Sequence, residues 1–176
     1  MKAIIVMRIV AFLLIFFMCI NAFANVKTFK RASGWEAWGG LSEDNRKLCG
    51  VSAEGGGRFF SVKYFQGDTH MTIHMSKNTW TAKRGAQVNI VMKFDDESPW
   101  KATATAFFMQ DGDVGLQFNI PLERLKQWFA EFRRSNTLYV VFPDDNIDDW
   151  QADLAGTPDI ANAMGECLDA MNKYTN

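Results

Sequence analysis

The stretch Thr69-His70-Met71-Thr72-Ile73-His74-Met75 packs two histidines and two methionines into seven residues. Thioether sulfur and imidazole nitrogen are soft donors that select Cu(I) or Ag(I). That makes His70, Met71, His74 and Met75 the first candidates for a metal site. Convergence on one ion depends on the backbone. On a helix, His70 and His74 would be neighbours at i, i+4. The β-branched Thr69, Thr72 and Ile73 favour a strand instead, as does the alternation of His-Thr-His with Met-Ile-Met. On a strand the two histidines share a face but lie about 13 Å apart, at roughly 3.3 Å per residue. Met71, Ile73 and Met75 then form a core face, and His70 and His74 face solvent or a partner. One ion cannot bridge that arrangement. A metal site requires that the stretch is not a strand, or that another element supplies ligands.

Other chemistries find less to work with. Nucleophilic catalysis needs a base beside an activated hydroxyl or thiol, and His70 and His74 are the only histidines. No G-x-S-x-G, H-E-x-x-H or P-loop pattern occurs. Carboxylates are plentiful, but no spacing marks two of them as a glycosidase-like acid/base pair. The expectation is a protein with no catalytic residue and no cofactor. The acidic run Asp144-Asp145-Asn146-Ile147-Asp148-Asp149 offers oxygen ligands for Ca²⁺. It lacks the alternate-position ligands, central glycine and distal Glu of an EF-hand loop. It reads as a solvated turn between Phe142 and Trp150, with Asp144, Asp145, Asp148 and Asp149 as candidate contacts to a protein partner. Gly55-Gly56-Gly57 is likewise a turn, because no helix and lysine follow it to cradle phosphate.

The elements that must position these residues begin after a leader. Lys2 and Arg8 give a short positive region before an apolar run from Ile9 to Ile20, and Asn21-Ala22-Phe23-Ala24 supplies an A-x-A cleavage pattern. This is the layout of a secretory signal peptide, residues 1–24, cut after Ala24. The run is shorter than the roughly 20 residues that span a bilayer, so no stable membrane insertion is expected after cleavage. The remaining 152 residues (176 − 24) make one β-rich domain, 25–176, in the periplasm or secreted. Loss of Lys2 and Arg8 leaves 17 basic residues (19 − 2) against 20 acidic ones, a net charge of −3. That balance recruits neither nucleic acid nor anionic lipid. Cys49 and Cys167 remain, and an even pair in an oxidising compartment reads as a disulfide. Two unpaired thiols are the alternative. With no C-x-x-C motif, thiol–disulfide exchange is not expected.

From Gly34 to Ile120 the pattern predicts strands separated by turn residues. They are Trp35 to Trp38, Leu48 to Ala53, Arg58 to Phe65, Thr69 to Ser76, Gln87 to Phe94, Trp100 to Met109 and Val114 to Ile120. Pro121 suits the first position of a helix, on which Leu122, Leu125, Trp128, Phe129 and Phe132 form the apolar side. Glu123, Arg124, Lys126, Glu131 and Arg133 lie elsewhere. Thr137 to Phe142 and Trp150 to Leu154 are further strands. Thr157 caps a second helix with Pro158 at N1, and Cys167 lies on its apolar stripe, able to meet Cys49. The fold class is α+β or mainly β: an antiparallel β-sandwich or curled sheet with one inserted and one C-terminal helix. Trp35, Trp38, Phe59, Phe60, Tyr64, Phe65, Trp80, Trp100, Phe107 and Phe108 exceed what one face of a small sheet buries. Either both faces are covered, or some rings form a binding surface.

The order of segments also carries a resemblance. "GWEAWGG", "KLCGVSA", "GAQVNIVMKFD", "PLERLKQWFAEFRRSN", "TLYVVFP" and "ADLAGTPDIANAMGECL" together resemble the invasion-associated locus B family of exported bacterial proteins, over roughly Trp35 to Leu168. Many members have a further central cysteine pair, absent here between Trp100 and Met109. The resemblance implies a periplasmic or secreted β-rich domain, associated in some bacteria with entry into host cells. It implies no known reaction, and Trp35, Cys49, Gly156 and Cys167 match as framework positions. Three functional readings follow. The first is a non-enzymatic exported interaction protein of the bacterial envelope, with a protein partner. The second is a periplasmic inhibitor or immunity-type protein that blocks an enzyme with a loop. The third is a periplasmic Cu(I)- or Ag(I)-binding protein.

Overall fold

The computed structural model describes residues 25–109, 111–143 and 147–173; residues 1–24, the expected signal peptide, and Asp144 and Asp145 lie outside them. Ten strands form a single antiparallel sheet: β1 (Asn25–Ala32), β2 (Trp35–Leu41), β3 (Lys47–Gly55), β4 (Arg58–Phe65), β5 (His70–Lys77), β6 (Gln87–Phe94), β7 (Trp100–Phe108), β8 (Val114–Pro121), β9 (Thr137–Val141) and β10 (Trp150–Asp153). Their spatial order is β1-β2-β3-β4-β5-β8-β7-β6-β9-β10. A 3₁₀ turn (Leu122–Arg124) leads into α1 (Leu125–Arg134), and α2 (Thr157–Lys173) ends the described chain.

Of the two architectures open to the sequence, the curled sheet is the one adopted. β4 and β10 are six ladder steps apart, roughly 29 Å along a flat sheet at about 4.8 Å per step. Yet Phe60 of β4 stacks on Trp150 of β10 with ring centroids 5.6 Å apart. The indole Nε1 of Trp35 in β2 donates to the Asp153 carbonyl of β10 at 2.9 Å. The sheet therefore rolls back on itself, but no ladder joins β1 to β10 among the described residues. It stays open by one seam.

The inner face of the roll is the core. Val51, Phe60, Val62, Met71, Ile73, Met75, Leu116, Ile90, Met92 and Leu138 project there, with α1 adding Trp128 and Phe132. Trp128 stacks on Phe132 and meets Phe94 edge-on, the offset and T-shaped geometries that ring quadrupoles favour. α2 lies over β1, β2 and β3 and is fixed by the Cys49–Cys167 disulfide, with Cα atoms 6.1 Å apart. Gly39 sits beneath that bridge: a Cβ there would come within 2.8 Å of the Cys167 sulfur.

Several local expectations are corrected. β1 went unread because it is an edge strand, exposed along most of its length. Its register also shifts between Thr28 and Lys30, which breaks the period-2 signal. Pro121 ends β8 and does not begin the helix. Glu131, assigned to the polar side of α1, is buried; it accepts from Trp100 Nε1 at 2.6 Å and from Gln127 Nε2 at 2.9 Å. A carboxylate can be buried only with such donors. Thr157 does begin α2, but its hydroxyl donates to the Phe132 carbonyl at 2.7 Å. It thus meets one of the orphan carbonyls at the end of α1.

Candidate functional site

The site is built on the outer face of the middle strands. Register places Glu54, Phe59, Ser76, Gly115 and Phe107 in one transverse row across β3, β4, β5, β8 and β7. The next row is Ser52, Ser61, His74, Gln117 and Thr105. In the first row the small residues Ser76 and Gly115 lie between the rings of Phe59 and Phe107; in the second, His74 and Gln117 lie between Ser61 and Thr105. Phe107 lies across Gly115, where a Cβ would meet the ring at 2.6 Å. The same pairing recurs at β2–β3, where the Trp38 indole covers Gly50 and a Cβ would meet it at 2.3 Å. At both places a ring occupies the space of the missing side chain, so a larger residue would have to displace it.

Between these aromatics is a cleft of about 630 Å³, lined by Glu54, Arg58, Phe59, His74, Ser76, Phe107, Phe108, Met109, Asp111 and Asp113. That volume is in the range of ligand pockets. Phe108 is 43% exposed, and Arg84 places its guanidinium 5.2 Å from that ring. Arg58 enters no ion pair among the described residues. The wall is therefore aromatic, with three carboxylates and one free guanidinium around it.

His74 is the titratable group at the cleft floor. Its Nε2 is 2.8 Å from Gln117 Oε1, and its ring lies 5.0 Å from Phe107. Its pKa is lowered to about 4, chiefly by burial and then by the nearby Lys63 charge, with the Gln117 bond opposing both. The imidazole is neutral near pH 7, so Nε2–H donates to Gln117 and Nδ1 carries the lone pair. Lys63 is itself lowered by burial, and its ammonium sits 5.6 Å from the Phe65 ring.

β5 separates the four soft donors as the alternation predicts. Met71 and Met75 are 0% exposed in the core, while His70 and His74 lie on the outer face with the backbone between. They do not converge. No group of three or more His, Cys, Asp or Glu could hold a metal ion among the described residues. The outer face departs from the expectation in one respect. His74 is only partly accessible, and its neighbours Thr72 and Ser76 are 8% and 5% exposed; Phe107 packs against the His74 ring, Phe59 is paired with Ser76, and Lys63 and Asn119 flank Thr72.

The described end of the acidic run makes contacts with the rest of the domain. Asp148 accepts from Lys77 Nζ at 3.0 Å, and its carbonyl accepts from Trp80 Nε1 at 3.2 Å. Asp149 accepts the Phe142 N–H at 3.3 Å. The cleft residues Glu54, Arg58, Asp111 and Asp113 are not among the candidates that the sequence singles out. The available signal was the aromatic surplus: Phe59 and Phe107 fall in the phase of their strands that should be polar.

The fold defines the class as an open, curled ten-stranded sheet with two helices and a disulfide staple. No helix among the described residues is long and apolar enough to cross a membrane. No family model matches the chain, and no curated protein matches it. Among solved structures it is similar to invasion associated protein B from Bartonella henselae, with a TM-score of 0.55 and 11% identity, covering 83% of this chain and 99% of that one. At that identity the likeness is one of fold.

Proposed function

We propose that the chain is a non-enzymatic exported protein of the bacterial envelope and that it binds a protein partner through the outer-face cleft. The observation that carries this reading is the cleft's composition. Phe59, Phe107 and Phe108 share one concave surface with the unpaired Arg58, and aromatic and Arg side chains are the groups that anchor protein interfaces. His74 is a poor catalyst by comparison. Its N–H is held by Gln117, and a pKa of about 4 makes its free nitrogen a weak base near neutral pH. The N-terminal leader pattern and the Cys49–Cys167 pair support export to an oxidising compartment. The likeness to the Bartonella protein supports the scaffold of this reading. The inhibitor reading ranks second, because it needs a protruding loop and Asp148 and Asp149 are held back by Lys77, Trp80 and Phe142.

The test uses protein expressed from the full chain, purified oxidised and immobilised, alongside a Phe59→Ser/Phe108→Ser variant. Both are exposed to envelope extract and to host-cell lysate, and retained proteins are quantified by mass spectrometry. The expected result is a partner held by the wild type and depleted about tenfold or more on the variant, the scale of an interface hot spot. Equal recovery on both would remove the cleft from the interaction. No specific capture from either extract would sink the binding reading.

A further inference from the structure

The sheet does not close into a barrel among the described residues, and its seam holds a slot of about 260 Å³. One wall is the free edge of β10. Leu154 N–H donates to the Asn136 carbonyl at 2.8 Å, in register with Trp150↔Val140 and Ala152↔Leu138. The even-numbered residues therefore turn their backbone groups to β9. Antiparallel geometry points the N–H and C=O of Gln151 and Asp153 the other way, into the seam. Only one of these groups is met: the Asp153 carbonyl accepts from Trp35 Nε1 across the gap. The Gln151 N–H, the Gln151 carbonyl and the Asp153 N–H have no partner among the described residues.

The rest of the slot suits a chain better than a small molecule. Its floor is the Phe60–Trp150 stack, and its far wall is Gly34, Trp35, Ala53, Gly55 and Arg58. The Trp35–Asp153 bond closes one end. The free groups on Gln151 and Asp153 are spaced roughly 7 Å apart, two residues along a strand. A ligand that repeats donor and acceptor at that spacing is an extended polypeptide. The other edge of the sheet is guarded: β1 carries Lys27, Lys30, Arg31 and a register shift, devices that discourage strand addition. β10 has no lysine, no proline and no register shift.

We infer that the seam is a strand-accepting slot: an extended segment of a partner protein adds to the free edge of β10 as an eleventh strand, recognised through its main chain. The mixed charge of Glu54 and Arg58 at the rim leaves the side-chain sequence of that segment loosely specified. The slot is separate from the outer-face cleft, with which it shares only Glu54 and Arg58, so either site can fail without the other.

The test pans a phage-displayed library of random linear heptapeptides against protein expressed from the full chain. Enriched peptides are then titrated against wild type and Gln151→Pro. Proline at 151 deletes only the outward N–H, and the ladder to β9, which uses even-numbered residues, survives. The expected result is binding to wild type that weakens up to about tenfold in the variant, the worth of one backbone hydrogen bond. Should Gln151→Pro misfold, amide exchange on the wild type decides. Bound peptide slows exchange at Gln151 and Asp153 at least about tenfold if it pairs with β10. Peptides that bind both proteins equally, peptides that leave those amides unchanged, or no enrichment over blank beads would each overturn the proposal.

Discussion

The two faces of β5 are covered by different means. Below, Met71, Ile73 and Met75 are fully buried among Phe60, Val62, Leu116 and Phe118, in a core that also takes in both helices. Above, Thr72, His74 and Ser76 are flanked by neighbours on the same sheet, among them Phe59, Lys63, Phe107, Gln117 and Asn119. The inner face loses water by packing against other layers of the protein. The outer face loses much of it to side chains on adjacent strands, aromatic rings among them. A face of that second kind stays open at the top, which leaves room for a cleft.

The sharpest way to break this comparison is to cut the staple that holds α2 over the inner face. Cys49→Ala/Cys167→Ala removes a bridge of sequence separation 118, for which chain entropy gives a loss of up to about 4–5 kcal/mol in urea unfolding. A loss under about 1 kcal/mol would mean that packing alone secures the helix. Met75→Ala is next. It opens a cavity in a site with no water access and is expected to cost about 2–4 kcal/mol, with the outer-face cleft unaltered.

The third prediction concerns pH and isolates the outer face. His74 has a folded-state pKa of about 4 against 6.5. Between those values the unfolded chain binds more protons, so stability falls as pH drops through that window and the loss is complete below about 4. At 1.36 kcal/mol per unit the upper figure is about 3 kcal/mol, reduced by the ring's partial exposure. His74→Gln should flatten this part of the profile when urea midpoints at pH 7 and pH 4.5 are compared. Unchanged slopes in the variant would assign the acid sensitivity to other groups. The smallest effect is expected one pair along the same strand. Ser76→Ala should change stability by no more than about 0.5 kcal/mol, since its hydroxyl makes no protein hydrogen bond among the described residues. A cost near that of Met75→Ala would erase the distinction between the faces.

Much of this organisation was legible in the residues. Turn residues and strand-forming composition located β2 to β8, with clean period-2 alternation in β5 and β6, and Met71/Ile73/Met75 were placed in the core correctly because the side-chain phase of a strand is set by sequence alone. The Cys49–Cys167 pairing follows from an even count and from Cys167 falling on an apolar helical stripe. β1 was missed, since an exposed edge strand with a register shift carries little hydrophobic signal. Glu131 was placed on the wrong side of α1, because its burial depends on Trp100 and Gln127 supplying donors from positions that local periodicity does not reveal.

The sequence by itself determined which residues alternate, where the turns fall, which cysteines can pair, and that the four soft donors of Thr69 to Met75 divide between two faces. These are consequences of local backbone geometry. Only the tertiary structure decided that β8 lies between β5 and β7, which brings Gln117 to His74 and Phe107 over Gly115. Only the tertiary structure decided that the sheet curls until Trp35 reaches Asp153 yet does not close. Both depend on strand order and accumulated twist, quantities fixed by the packing of all ten strands together and not by any one of them.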